Sequence, residues 1–292
     1  MRNASKWLAA LVVVALMVAL VAVAGCSTPA ATTTEPTTKV VVVKVVKPGV
    51  LQFGSDTAFP PFETMNGAVA EGFDVDLGAA IAKELGLTSE FVSQKFDTLI
   101  PQLKAGGKFD AVMSGMTITD ERKKEIDFSD PYIDSNQSVA VLKDKGFTVI
   151  KTGDTAAIVT AMNGKTIGVQ SGTTGEAWAK ENLKGAKQII PFDDTLAAFS
   201  ALQAGKVDAV VNDLPVSAAV VKDPARNAML IAEIPTGEQY GIAIAKTTPD
   251  LTKAVNEALA KIKASGEYAK IYQKWFGTPP PTASTPSTPS AP

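Results

Sequence analysis

Two stretches about a hundred residues apart decide the fold: Leu103–Gly115, LKAGGKFDAVMSG, and Leu202–Asp213, LQAGKVDAVVND, which align when one glycine is skipped. Each reads as the end of a helix, a glycine turn and a strand apolar enough to be buried. A repeated supersecondary unit implies a chain built from two similar halves. Both strands run out into polar residues, Ser114-Gly115 in one and Asn212-Asp213 in the other. In open α/β sheets, ligands sit beyond the carboxyl ends of the strands, so halves that face each other would set these four residues across a cleft.

Working outward from the repeat, strands and helices alternate, which favours α/β layers with largely parallel sheets. Val50–Gly54 reads as a strand leading to a loop with Asp56, Phe59, Pro60 and Pro61. Asp74–Leu85 reads as a helix with Leu77, Ile81 and Leu85 on one face, stopped by Gly86. A strand follows around Phe91, then a helix from near Asp97 that tolerates Pro101 in its early turns. The second half opens the same way: strand Lys165–Gln170, loop Ser171–Gly175, helix Glu176–Leu183. Pro249–Ala264 carries Leu251, Val255, Leu259 and Ile262 on one helical stripe, and Tyr268–Phe276 is a last aromatic helix. The apolar runs Gln137–Leu142 and Gln239–Ala245 lie between the halves. With the second half inserted between them they would be paired crossover strands, and such a pair makes a hinge.

The 292 residues suffice for two ordinary domains, and 46% hydrophobic with 20% charged residues is the balance of a soluble globular protein. The ends differ from the middle. Residues 1–25 carry Arg2 and Lys6, then an uncharged apolar run from Trp7 to Ala24, the pattern of a secretory signal. Val23-Ala24-Gly25-Cys26 resembles a bacterial lipobox, in which the cysteine thiol is lipidated after cleavage just before it. An uncleaved anchor is the alternative, since the run approaches the length of a span; the lipobox is preferred because the chain's one cysteine falls at the required place. Lipidation of Cys26 leaves no thiol for a disulfide. Loss of residues 1–25 removes two of 28 basic and none of 30 acidic residues, for a mature charge of −4, and nothing points to nucleic acid. The stretch Ser27 to about Lys39 and the Pro/Thr/Ser/Ala stretch Thr278–Pro292 are too poor in apolar bulk to pack.

Histidine is absent, which with a single cysteine excludes Ser-His and Cys-His catalytic pairs and the common zinc sites. Carboxylate-based catalysis stays open, and no catalytic residue, metal or cofactor is assigned. Chemistry instead gathers at the strand ends. Thr119 is a natural N-cap for a helix opening Asp120-Glu121-Arg122. Arg122, a cation in a first turn, opposes the dipole; it either points into water or forks onto a carboxylate, with backbone amides near Gly115 and Thr117 completing the grip. Ser171-Gly172-Thr173-Thr174-Gly175 precedes a helix and either holds the other side of that anion or is an ordinary N-cap followed by Glu176. Asp213 leaves a buried strand and needs a partner: it caps the helix after Pro215 or it takes an ammonium group. Arg122 and Asp213, one on each half, would clamp a free α-amino acid end to end. Phe59 and Phe96 either flank the ligand's side chain or belong to the core, and Asp56 lies on the same rim, suited to an amide or a cation.

These residues resemble the family 3 solute-binding proteins, the amino-acid receptors of bacterial ABC importers. The resemblance spans Val50 to Gly277 and rests on seven motifs in order: SDTAFPPFE (55–63), GFDVDL (72–77), SGMTITDERKKEIDFSDPY (114–132), GVQSGTTGE (168–176), VDAVVNDLPV (207–216), YGIAI (240–244) and IYQKWFG (271–277). It implies an α/β fold of the periplasmic-binding-protein-like type II, with two α/β lobes joined by two crossover strands that close on the ligand. The implied organisation is a signal peptide 1–25, lipidated Cys26 and tether 26–47, a discontinuous first lobe 48–137 plus 242–277, a second lobe 142–237 and a tail 278–292.

By the same resemblance Arg122, Thr117 and Gly115 take the α-carboxylate with Thr174, and Asp213 takes the α-amino group with Ser114 or Gly115. Phe59 and Phe96 flank the side chain, Asp56 and Gln170 face its end, and Thr173 belongs to the same loop. DTAFPPFE and TDERKKEIDFSD are closest to glutamine binders, which makes glutamine the first choice; basic amino acids (arginine, lysine, histidine) come next. Gln170 departs from the lysine of some glutamine binders, and Asn212 sits where such proteins can have histidine. The implied partners are a free L-amino acid, the transmembrane subunits of an ABC permease and the membrane through the lipid on Cys26, for a monomer outside the cytoplasm. The rival on the same fold is a prephenate or arogenate dehydratase-like enzyme.

Overall fold

The computed structural model describes residues 43–281; the expected leader, Cys26, the tether up to residue 42 and the tail from residue 282 lie outside them. The first lobe runs through β1 (Val50–Ser55), a small sheet of β2 (Ala58–Phe59), β3 (Glu63–Asn66) and β4 (Val69–Glu71), then α1 (Phe73–Glu84), β5 (Thr88–Ser93), α2 (Phe96–Ala105), β6 (Ala111–Val112), α3 (Asp120–Glu125) and β7 (Asp127–Phe128). The chain crosses along β8 (Ile133–Leu142) and builds α4 (Thr155–Met162), β9 (Thr166–Gln170), α5 (Thr174–Asn182), β10 (Gln188–Phe192), α6 (Thr195–Gln203), β11 (Ala209–Asp213) and α7 (Leu214–Val221). It returns along β12 (Ala228–Tyr240) to β13 (Ala243–Ile244), α8 (Pro249–Ala264) and α9 (Glu267–Phe276).

The two large sheets are one arrangement made twice. Their orders are β5-β1-β6-β13-β7 and β10-β9-β11-β8-β12. In each, the repeat strand (β6 or β11) is parallel to its inner neighbour and antiparallel to the next strand out. The repeat phrase explains the match down to single atoms. Asp110 donates its N–H to Gln52 O (2.9 Å) and accepts the N–H of Gln52 (2.8 Å) and of Val46 (2.6 Å) on its carboxylate. Its counterpart Asp208 donates to Thr166 O (2.7 Å) and accepts the Thr166 N–H (2.8 Å). Each aspartate thus pins the start of the strand beside it, which fixes the register at the end of the sheet away from the cleft.

Helices cover the sheets with the faces their spacing dictates. Leu251, Val255, Leu259 and Ile262 of α8 are all buried, as are Phe73, Leu77 and Ile81 of α1. A fully buried side chain of this kind contributes roughly 1.5–3 kcal/mol relative to exposure. The first lobe also has an aromatic seam in which Phe62 meets Phe73 and Phe276 edge to face and Phe73 and Phe276 are tilted together, with ring centroids 5.3–6.0 Å apart.

Three expectations shift. The run Gln137–Leu142 is no crossover: residues from Gln137 to Val141 pair with β11 on one side and β12 on the other, at the middle of the second sheet. An unbroken apolar run is what a strand buried on both faces needs. The crossover pairing lies just upstream, Ile133 to Ser135 against Glu238 to Tyr240, and Gln239–Ala245 divides between it and β13. Second, α5 begins at Thr174, ahead of Glu176, because Thr173 supplies its cap. Third, Val43 and Val45 pack against the core and Val46 binds Asp110, so the valine-rich end of the expected tether belongs to the folded body.

The unequal burial of the paired aspartates gives a test. Asp110→Ala should cost about 1–3 kcal/mol of unfolding free energy because it deletes the buried carboxylate and leaves the Val46 and Gln52 amides without their acceptor, while Asp208→Ala, on an exposed turn, should cost less than about 1 kcal/mol. Urea melts of the two variants would read both values; equal losses would show that the two pins are not set apart by burial.

Candidate functional site

The sheets face each other with the carboxyl ends of β1, β6, β9 and β11 around one narrow hollow. Phe59, Phe96, Gly115, Thr117 and Arg122 line it from the first lobe, and Gln170, Thr173, Thr174 and Asp213 from the second. Nine of the eleven expected ligand-binding residues thus share one hollow. Asp56 sits one hydrogen bond beyond it, accepting from Gln170 Nε2 at 2.6 Å. Ser114 turns away: its hydroxyl accepts from the Asp56 N–H and donates to Glu63 Oε1 at 2.8 Å.

Arg122 comes off α3, whose first turn is capped by Thr119 accepting the Arg122 N–H. Its side chain folds back across the cleft. The guanidinium donates to Thr117 O (2.7 Å) and, in the other lobe, Gly172 O (3.1 Å), and lies 5.3 Å over the Phe96 ring. Two of its five N–H donors are spent on carbonyls, and the others remain for an acceptor in the cavity. Burial lowers its pKa, while the charges of Asp213 and Glu238 act the other way.

Asp213 ends β11 and is 5% exposed. It starts α7 but makes no side-chain cap there. Its carboxylate accepts instead from Tyr240 Oη and from Gln137 Nε2. Burial, reinforced by the negative charge of Glu238, pushes Asp213 up to about 7, against the two hydrogen bonds and the more distant Arg122. Arg122 and Asp213 therefore share a buried cavity with their charges engaged elsewhere.

The loop after β9 resolves in favour of capping for one residue and turns the other toward the cleft. Thr173 Oγ1 accepts the Glu176 N–H and donates to Gln170 O, and the Glu176 carboxylate accepts the Gly172 N–H, a capping box shifted by one residue. Thr174 Oγ1 instead points toward Thr117, 3.5 Å away in the other lobe. Gly115 also departs from expectation, since its N–H donates to Asp74 Oδ2 (3.0 Å) and is not available to a carboxylate. At Gly115, φ is +51° and a Cβ would stand 2.6 Å from the Phe59 ring, so only glycine fits there. Thr117 makes an antiparallel bridge with Tyr240 in which the flanking residues exchange the hydrogen bonds. Its own N–H and C=O therefore face away from that ladder.

Sequence reasoning missed the polar groups behind this surface. Gln137 Nε2 and Tyr240 Oη hold Asp213. Thr195 Oγ1 donates to Gln170 Oε1 at 2.8 Å and fixes that amide. Behind Ser114 and Gly115, Glu63 and Asp74 are wholly buried together, and Tyr132 Oη donates to Asp74 Oδ2. Burial drives both carboxyls up, Asp74 to about 6 and Glu63 well above its usual range. Asp56 reaches about 6, chiefly by burial and then by the charge of Asp194. Glu63, Asp74 and Tyr240 all lie in motifs quoted above, so the signal existed as pattern but not as chemistry.

Residues 51–278 match the bacterial extracellular solute-binding proteins, family 3. This chain is a family 3 solute-binding protein. It is 37% identical over 279 residues to the "Probable histidine-binding protein" of Neisseria gonorrhoeae, covering 94% of this chain and 96% of that protein. It is 35% identical over 233 residues to "ABC transporter arginine-binding protein 1" of Escherichia coli (strain K12), covering 77% and 90%. Among solved structures, "An ancestral arginine-binding protein bound to arginine" aligns with TM-score 0.72 and 43% identity over 78% of this chain and 99% of that one. The type II fold with two lobes is thereby a property of this solute-binding protein.

The buried Asp213 of this solute-binding protein sets a pH test. Its folded pKa of about 7 lies above the ordinary aspartate value of about 3.9. Its stabilising contribution is therefore full below the unfolded value and is lost as pH rises through about 7. Asp213→Asn should make the protein more heat-stable at pH 8, by an amount on the order of a few kcal/mol, with the gain fading toward pH 4. Melting curves that show no pH-dependent gap between the two proteins would contradict the assignment.

Proposed function

We propose that this protein is the extracytoplasmic receptor of an ABC importer, capturing one L-amino acid between its lobes. The observation that carries the reading is the meeting of Arg122 and Asp213, from opposite lobes, on one buried cavity with their charges left unpaired to each other. A zwitterion supplies what both lack: its carboxylate to the guanidinium and the threonine hydroxyls, its ammonium to Asp213. Phe59 and Phe96 provide flat apolar walls for the stem of the side chain. Because the ligand touches both lobes, its binding energy shifts an open and closed equilibrium, which is the signal a permease reads.

The far end of the side chain meets Gln170 and then Asp56. Asp56 is buried, has no cation beside it, and is raised to about 6 by burial. A cationic side chain would supply the missing charge, so the geometry favours a basic amino acid, arginine first, over the glutamine that the motifs rank highest. The relatives named above for histidine and arginine are consistent with a basic ligand, although similar proteins include a glutamine binder as well. Lipid attachment at Cys26 would hold the receptor at the membrane beside its permease, and the folded body would work as a monomer. No group of the cleft is assigned a catalytic role; a prephenate turnover assay is expected to read zero.

A thermal-shift screen of the twenty amino acids tests the class, with arginine expected to give the largest rise; a ligand at a hundred to a thousand times its Kd stabilises by roughly 3–4 kcal/mol. Asp213→Ala should then weaken the best ligand by on the order of 2–5 kcal/mol in calorimetry, because it leaves a buried ammonium unpaired. Unchanged affinity would remove Asp213 from the site. For the anchor, cells fed labelled palmitate should mark the intact protein and not Cys26→Ala; labelling of both would move the lipid elsewhere.

A further inference from the structure

Glu238 stands on β12 just before Tyr240, within the crossover pairing. Its Oε2 accepts from the Thr117 hydroxyl of the first lobe (2.8 Å) and the Thr174 hydroxyl of the second (2.8 Å). The same carboxylate accepts from Gln137 Nε2 at 3.1 and 3.2 Å, and Gln137 Nε2 also serves Asp213 at 2.5 Å. One side-chain oxygen thus ties both lobes together through the two hydroxyls that, on the reading of the previous subsection, hold a ligand carboxylate. A hydroxyl has a single proton to donate. While Thr117 and Thr174 give theirs to Glu238, neither can give it to an amino acid. Gln137 completes the imitation, offering Asp213 the N–H bond that an ammonium would make.

We infer that Glu238 is an internal rival of the ligand's carboxylate, which holds the closed lobes together through Thr117 and Thr174 and is displaced when an amino acid binds. Glu238 does not line the main hollow but borders a solvent-facing one with Thr236, Gly237 and Gln239, so it has somewhere to go. The inference deepens the proposed function and rests on it for the identity of the displaced contacts. Glu238 is then an affinity-setting residue: bonds that it makes in the closed form without ligand are subtracted from the affinity measured with ligand.

The test compares the unaltered protein with Glu238→Gln and Glu238→Ala. Calorimetry with L-arginine should show tighter binding in both variants, roughly tenfold, the factor equivalent to 1.4 kcal/mol. Agmatine, which keeps a cationic side chain and an ammonium but has no carboxylate or carbonyl in place of it, should gain no affinity in the variants, because it does not compete for the threonines. Small-angle X-ray scattering without any amino acid should show a larger radius of gyration for the variants. Weaker or unchanged arginine binding would overturn the inference, as would an equal gain for agmatine. If the unaltered protein binds none of the twenty amino acids, the proposed function falls; scattering alone then decides whether Glu238 ties the lobes, and unchanged curves end that idea too.

Discussion

A carboxylate buried at the end of a strand with no cation against it is the constraint around which the cleft is arranged. Removing such a charge from water costs several kcal/mol unless hydrogen bonds and opposite charge compensate. Asp213 gets two hydrogen bonds from Tyr240 and Gln137, and only the distant field of Arg122. The remaining cost is what a small cation can relieve. Arg122 is the mirror case, a buried guanidinium bonded only to neutral carbonyls. Keeping the two apart preserves their attraction for something else.

The second layer makes that arrangement rigid. Thr195 fixes Gln170, Gln170 reaches Asp56, and Asp56 is joined through Ser114 to Glu63. The chain of bonds runs from one lobe to the other without a break. At the other end, the Tyr240 hydroxyl touches Asp213 and also Ser135, while its backbone faces Ile133 in the crossover and bridges Thr117. The candidate site and the strands that link the lobes are consequently built from some of the same residues.

Much of this was legible in the sequence, for reasons that can be stated. The repeat phrase announced two similar sheets because its glycine turn and buried strand have to serve the same local purpose twice. The bounds of α8 followed from Pro249 at its start and one unbroken apolar stripe. Arg122 stood out because it defied the helix dipole, and Asp213 because it left a buried strand. What stayed hidden depended on distant pairing. Glu238 lies 121 residues from Thr117, and no local pattern marks it. Gln137 opened an apolar run and was read with that run. Ser114 and Gly115 stand side by side in the sequence, but the Ser114 hydroxyl is turned inward to Glu63 and the Gly115 N–H to Asp74, pairings that no local pattern shows.

The ladder between β8 and β12 skips between Ile234 and Glu238: four steps along one strand answer two along the other, from Gln137 to Ser135. Pro235, Thr236 and Gly237 therefore arch out opposite Asn136, with the Gly237 N–H held by Asn136 Oδ1. That arch is slack in an otherwise taut ribbon. An unpaired segment of this kind, flanked by paired residues on both sides, is where a connecting ribbon can absorb torsion without fraying the pairs that adjoin it.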